Sequence, residues 1–600
     1  MILFRYLGRL LVLLLAFVGA LAVLAIVAGA FFWQLFLPDG EREVPQQAVL
    51  TLDLANGLIE TRPRSPLAWA ALDDALVMRE VIQGLEAAGR DDRIKGLVAR
   101  LGSGTLEMAQ AQELRDAIRA FREQGKFTVA FAETFGEAGT GNTHYYLATA
   151  FEEIWLQPSG EVGLVGARLE TPFLAEVLTD IGIQPRLDQR LEYKGGMDMF
   201  TSDQMPEPVR ENLQRLVESW VGQIASGIAA TRKMDQAAAR SLIDRGPFLA
   251  GEAKTEGLVD RLGYWDEVVN TVFARAGLHA ERIAVSDYVG GLPPPPEDAP
   301  QIAVIYGLGP VQLAASDDDP FFGSVTMGSD TVSKAIREAI EDEDVAAIIL
   351  RIDSPGGSYV ASDTIWREVD RAREMGKPLI VSMANIAASG GYFVAVPAHR
   401  IVAQPGTVTG SIGVYGGKFV LSGLWDKLGV TWEGVQAGAN ADMTSANVDY
   451  SEAGWAKLQA SLDFIYQDFV EKVAAGRDIP IETVQEVAQG KVWSGADAQA
   501  RGLVDALGGI ATAVDLAREA AGIAPEAAVQ VGPYPPRAEG YGALLRRILG
   551  EELAQSGAVE MLAPFLRLMD AAAPIARTLA PLTQPSAQRA VRAPEFRAAQ

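Results

Sequence analysis

Apolar positions along this chain fall into three regimes. From Leu10 to Leu37 they run with Gln34 as the only strongly polar side chain. Through the middle of the chain they come in short blocks separated by polar, glycine-bearing stretches. Beyond about Gly532 they dissolve into text rich in alanine, proline and arginine. Short apolar blocks alternating with amphipathic stretches predict buried strands covered by helices, an α/β fold.

The middle regime is one pattern written twice. Val49 to Leu54 corresponds to Ile302 to Tyr306, and Arg93 to Arg100 to Asp344 to Arg351. Gly125 to Phe131 corresponds to Gly376 to Ser382, and Gly257 to Gly263 to Gly502 to Gly508. These matches keep one order at an offset of roughly 250 residues, the mark of an internal duplication. Pro293 to Pro296, followed by Glu-Asp-Ala-Pro, reads as a stiff exposed linker between the copies. The expected division is therefore a short N-terminus (1–9), an apolar segment (10–37), a first repeat (45–290), a linker (291–300), a second repeat (301–530) and a tail (531–600).

The apolar run exceeds the roughly 20 residues needed to cross a bilayer. Arg5 and Arg9 precede it and Asp39 and Glu41 follow, so the short arginine-bearing end is expected in the cytoplasm and the rest of the chain beyond the membrane. A cleaved leader ending near Ala28-Gly29-Ala30 is the alternative; the continuation through Phe31 and Phe32 to Leu37 favours an uncleaved anchor touching lipid through residues 10–37. In the tail, Gly542 to Leu553 and Met561 to Met569 have helical character, interrupted at Pro564, Pro574, Pro581 and Pro585. A loosely ordered tail and a membrane or subunit contact both fit it.

Composition narrows the chemistry. A chain of 600 residues needs more than one core. Its formal net charge of −25 and lack of a basic stripe argue against nucleic acid as a partner. Cysteine is absent, and the three histidines (His144, His279, His399) have no zinc-site spacing, so neither thiol catalysis nor a metal centre is expected, and no cofactor is called for.

The two copies differ where chemistry is possible. In the second, an apolar strand ends at Ala387-Ala388-Ser389-Gly390-Gly391-Tyr392, and Ser354-Pro355-Gly356-Gly357 follows an earlier strand. In the first, Asn142-Thr143-His144-Tyr145 and Leu101-Gly102-Ser103-Gly104-Thr105 stand at the matching places, without the serine and without paired glycines. Ser389 at a strand-turn-helix junction suits a nucleophile, although the same residues also suit a helix N-cap. A nucleophilic serine needs a base. His399 follows Pro397 near the far end of the helix that Ser389 begins, His144 sits in the degenerate copy and His279 near a domain end, which leaves a lysine. Such a lysine must be largely neutral, its pKa brought from about 10.4 to near 7 at a cost of about 4 kcal/mol. Lys194, in Tyr193-Lys194-Gly195-Gly196-Met197, is a candidate that by itself also reads as a surface lysine.

Ala387 to Tyr392, Ser354 to Gly357, Thr409-Gly410-Ser411-Ile412-Gly413-Val414 and Tyr193-Lys194, with Val492-Trp493-Ser494-Gly495 leading to Gly502-Leu503-Val504-Asp505, stand in an order that resembles the long, duplicated form of bacterial signal peptide peptidase A over roughly residues 40 to 525. The resemblance implies two tandem Clp-protease/crotonase-like α/β domains after a transmembrane helix. It also implies a serine endopeptidase, anchored once in the bacterial inner membrane with its catalytic part periplasmic, that hydrolyses remnant signal peptides. By the same resemblance Ser389 is the nucleophile, Lys194 the general base and Ser411 the residue that orients Lys194. The N–H groups of Gly356 and Gly390 are candidates for the oxyanion hole, and a homotetramer is implied. Gly195-Gly196 departs from the family's usual Ser-Ala, and Met199 stands where proline is common, while Phe200 is retained. A crotonase-type acyl-CoA enzyme and a non-catalytic membrane scaffold are the alternatives.

Overall fold

A computed structural model of the chain describes residues 44–536, apart from 56, 64–74, 103, 138, 278 and 318–324, together with 590–592. The apolar run 10–37 and the two helical stretches expected in the tail lie outside the described residues. Among the described residues no helix is long and apolar enough to cross a membrane.

Each half is built on a parallel sheet. In the first, Ala48–Asp53 lies between Glu281–Ala284 and Ile94–Leu101, and the sheet continues through Phe127–Ala132 and Glu153–Leu156 to Arg261–Leu262. The second repeats that order: Gln301–Leu308 lies between Gln530–Pro533 and Val345–Ser354, followed by Leu379–Ala388, Arg400–Ala403 and Ala506–Leu507. It adds Val408–Gly410 beside the far end of Leu379–Ala388, with Val492–Ser494 antiparallel at that edge. The four sequence matches thus fall on equivalent strands.

The strands form where both faces are covered. Ile348, Leu350 and Ile352 point into one core of the second half, while Ala347 and Ile349 point the other way, into a core shared with Leu50, Leu52, Leu97 and Ala99 of the first half. That is the two-residue period of a strand buried on both sides, which explains why these segments read as continuous apolar runs. Helix Ser329–Glu341 covers the second core with Val332, Ala335, Ile336, Ala339 and Ile340, spaced as one helical face.

The halves are also joined by polar and backbone contacts. Strand Gln184–Gln189 of the first half pairs antiparallel with Tyr415–Val420 of the second. At the shared core, Arg351 is enclosed by carboxylates from the first half, with Glu60 at 2.9 Å and Glu113 at 2.8 Å, and it donates to Ser382 Oγ at 2.8 Å. Burial disfavours the guanidinium charge, but the attraction of Glu113 and Glu60 outweighs it and raises the Arg351 pKa. Burial also raises the Glu113 pKa, with Arg351 opposing the shift. Removing the cation strands two buried carboxylates, which costs more than the intact cluster contributes. Arg351→Met is therefore expected to lose about 3–5 kcal/mol in urea unfolding at neutral pH. A loss below about 1 kcal/mol would show that the cluster is not under this electrostatic constraint.

Candidate active site

Strand Leu379–Ala388 delivers Ser389 to a turn that leads directly into helix Gly390–Ala395. Ser389 has φ 56° and ψ −117°, a region that a non-glycine residue occupies at a cost, and its N–H is held by the Gly410 carbonyl at 2.8 Å. The glycines that follow are dictated by close approach. A Cβ on Gly390 would lie 2.6 Å from Ser362 Oγ and 3.0 Å from the Gly357 nitrogen, and one on Gly391 would lie 2.6 Å from the Ser354 carbonyl oxygen. Their absence lets the turn sit against the Ser354–Gly357 loop, so Gly356 and Gly390 are brought side by side. Gly356 itself has φ 97°, and its N–H faces Ser354 Oγ at 3.3 Å.

Ser389 does not cap the helix it begins, because its side chain makes no capping hydrogen bond. Its hydroxyl meets Lys194 instead, with Oγ and Nζ 2.7 Å apart. Lys194 comes from the other half, where the Gln184–Gln189 arm passes into the short 3-10 turn Gly195–Met197. The same Nζ is 2.7 Å from the Ser411 carbonyl oxygen and 3.0 Å from Ser411 Oγ. Lys194, Ser389 and Ser411 are each 0% exposed. A neutral amine has two N–H bonds and one lone pair. Donation to the two Ser411 oxygens leaves the lone pair free to accept the Ser389 proton. Burial pushes the Lys194 pKa well below its ordinary value, and among the described residues no carboxylate opposes the shift.

Close approach also requires glycine beside the lysine. A Cβ on Gly195 would lie 2.6 Å from Val209 Cγ2, and one on Gly196 would lie 3.0 Å from the Tyr415 ring. Val209 and Tyr415 occupy the space that a side chain at these two positions would need. Gly413, two residues past Ser411, leaves the room that the lysine stem fills, since its Cβ would lie 3.1 Å from Lys194 Cδ. Gly413 lies within the Thr409–Val414 motif, but its role becomes visible only where the lysine stem packs against it.

The matching place in the first half is closed by its own side chains. Asn142 donates to the Gly166 carbonyl at 2.7 Å and accepts from the Val165 N–H at 3.1 Å. His144 Nδ1 accepts the Gly102 N–H at 3.2 Å, and Nε2 lies 3.1 Å from the Gly104 carbonyl, so its ring is spent on the loop where the glycine pair stands in the other half. His399 accepts the Leu379 N–H through Nδ1 at 3.1 Å, and His279 is exposed. The equivalence of the two helices is kept by tyrosine: Tyr145 donates to the Leu258 carbonyl at 2.8 Å and Tyr392 to the Leu503 carbonyl at 3.0 Å.

A buried hydroxyl–amine pair on a duplicated α/β scaffold is the equipment of a serine hydrolase. The family model described as Peptidase family S49 matches this chain twice, over residues 120–279 and 371–524, once in each half. The chain belongs to Peptidase family S49 and is a serine protease. It is 31% identical over 508 residues to the serine protease SPPA, chloroplastic, of Arabidopsis thaliana, covering 82% of this chain and 72% of the relative. It is 30% identical over 526 residues to Protease 4 of Salmonella typhi, covering 83% and 82% respectively. Protease 4 of Haemophilus influenzae is 31% identical over 472 residues, covering 75% and 74%. Membership in a peptidase family sets aside the acyl-CoA and scaffold readings.

The lysine environment has a measurable thermodynamic consequence. Between its lowered folded value and the ordinary 10.5, the amine binds a proton in the unfolded chain but not in the folded one. Folding stability attributable to Lys194 therefore rises with pH across that window. Relative to Lys194→Met, the wild type is expected to gain up to about 1.4 kcal/mol per pH unit between the lowered folded pKa and the ordinary lysine pKa. Urea unfolding of both proteins at several pH values measures this, and a stability difference that does not vary with pH would contradict it.

Proposed function

We propose that Ser389 and Lys194 form a catalytic dyad that hydrolyses the peptide bonds of hydrophobic signal-peptide remnants. The observation that supports this most directly is the 2.7 Å separation of the hydroxyl and a fully buried amine contributed by opposite halves. The neutral Lys194 accepts the Ser389 proton as Oγ attacks the scissile carbonyl, and the resulting ammonium donates that proton to the leaving amine. An acyl-enzyme remains, which a water deprotonated by the same amine hydrolyses. Ser411 fixes the direction of the lysine, and the oxyanion is received by the backbone N–H of Gly390 and by that of Gly356 once it turns from Ser354 Oγ, one such donor being worth about 3 kcal/mol.

Three features suit an extended apolar peptide. Gly356–Ser358 is paired antiparallel by Ala590–Arg592 of this chain, the geometry by which a peptide adds a strand, so a substrate would bind here by displacing that segment. Leu169, Met205 and Ile386 are half-buried apolar side chains packed around Val408 and Val492, beside the strand that leads to Ser411. The uncharged run 10–37 suits a single membrane anchor, with the two repeats (45–290 and 301–530) on the periplasmic face of a bacterial inner membrane, where remnant signal peptides are released. A homotetramer enclosing its sites would spare folded proteins from this activity.

Cleavage of a synthetic hydrophobic signal peptide by the full chain in detergent tests the dyad. Ser389→Ala and Lys194→Ala are each expected to lower kcat by about a thousandfold or more. Below the Lys194 pKa the wild-type rate should fall about tenfold per pH unit, because protonation removes the base. Covalent labelling by a fluorophosphonate should disappear in Ser389→Ala; persistence of the label, or cleavage by Lys194→Ala at the wild-type rate, would overturn the assignment.

A further inference from the structure

The dyad is split between halves, so something must set the position of one half against the other at the site. Three consecutive residues of the second half, Gly490, Lys491 and Val492, do so by touching three different partners. Gly490, at φ 82°, lies flat against the backbone of Lys194: a Cβ there would be 2.5 Å from the Lys194 nitrogen, 2.6 Å from its Cα and 2.6 Å from its Cβ. These are backbone and stem atoms that cannot swing aside. The Gly490 N–H in turn donates to the Ile412 carbonyl at 2.8 Å, and the Lys491 carbonyl accepts the Ser411 N–H at 2.7 Å.

Val492 completes the set through a side chain from the first half. Asn212, on helix Glu207–Arg232, is buried, and its carboxamide meets both backbone groups of Val492: Nδ2 donates to the carbonyl at 2.9 Å, and Oδ1 accepts the N–H at 2.8 Å. Val492 stands opposite Gly410 in the antiparallel pair, and the Gly410 carbonyl holds the Ser389 N–H. The other polar contacts of this helix with the second half, from Arg215 to Asp497, Ser219 to Ser494, Trp220 to Gly406 and Gln223 to Pro405, involve partly buried or exposed groups farther along it. An amide is the neutral side chain of this size that supplies a donor and an acceptor together.

We infer that Asn212 and Gly490 are positioning residues that register the two halves so that the Lys194 amine meets the Ser389 hydroxyl, an inference that rests on the dyad proposed above. Gly490 limits how far Lys194 can withdraw, and Asn212 fixes the strand that carries that limit. Neither touches the reacting atoms.

The test uses the full chain and the synthetic hydrophobic peptide, with wild type, Gly490→Ala, Asn212→Asp and Lys194→Ala side by side. Rates are expressed per folded molecule, and thermal unfolding is followed in parallel. For Gly490→Ala a fall in kcat of about 100-fold is expected, the cost of an ångström-scale misplacement. For Asn212→Asp, which keeps the size and the acceptor but turns the donor into a repulsive oxygen, about tenfold is expected. In both, KM should stay within about threefold of wild type, since substrate contacts are untouched. The acid limb of the pH–rate profile should move toward higher pH, because a displaced amine meets water and regains basicity. Fluorophosphonate labelling of Ser389 should slow in proportion to kcat. Variants that melt earlier yet keep wild-type kcat and an unmoved pH profile would overturn the positioning role. If Gly490→Ala does not fold, Asn212→Asp carries the test alone. A Lys194→Ala enzyme as active as wild type would instead refute the dyad itself, which separates the two failures.

Discussion

The site depends on one buried contact, in which an amine and a hydroxyl lie 2.7 Å apart and, among the described residues, no anion stands by to neutralise a charge. A lysine in water is protonated at neutral pH and has no lone pair to offer. Burial shifts the balance toward the neutral amine, at a free-energy cost that the surrounding fold must absorb. The enclosing groups are accordingly small or hydrogen-bonding: Gly413 and Gly490 close on the stem and backbone, and Ser411 accepts both N–H bonds of the amine. A carboxylate at this place would favour the ammonium and remove the base proposed for the reaction.

Duplication explains how such a contact is built. Each half carries the same parallel sheet and the same tyrosine lock between its site helix and the segment before its edge strand. In the first half the crevice is filled by Asn142 and His144, which frees that half to extend an arm and a lysine into its sister. The second half keeps the serine turn and its glycines, and the amine that meets its serine comes from the first half. The price of dividing the site is that the interface between halves must be specified to within fractions of an ångström, and the buried Arg351 cluster and the Asn212 amide are geometry-demanding contacts of that kind.

What the sequence disclosed follows from which constraints are local. The strand blocks, the repeat and the serine turn were legible because apolar runs and glycine pairs are written in contiguous residues; Ile348 to Ile352 and Ser389 to Gly391 are cases in point. Lys194 and Ser411 came from the order of motifs along the chain, since nothing around Lys194 in the sequence distinguishes it from a surface lysine. Partners that meet only across the folded interface left no such trace. Asn212 sits in a helix that reads as an ordinary amphipathic stretch, and Arg351 in a strand where a charge looks like a solvated end. Gly490 offered a faint signal, a glycine just before the Val492 to Gly495 motif, but its necessity comes from Lys194, some three hundred residues earlier in the chain.

The charge state of Lys194 in the folded protein is the quantity on which everything else turns. NMR of the full chain with isotope-labelled lysine side chains, compared with Lys194→Met to assign the signal, observes it directly. One lysine resonance, missing from that variant, is predicted to have the shift of a neutral amine at neutral pH and to titrate well below 10.5. A Lys194 signal that titrates with the surface lysines would contradict the proposed base and the buried contact from which it follows.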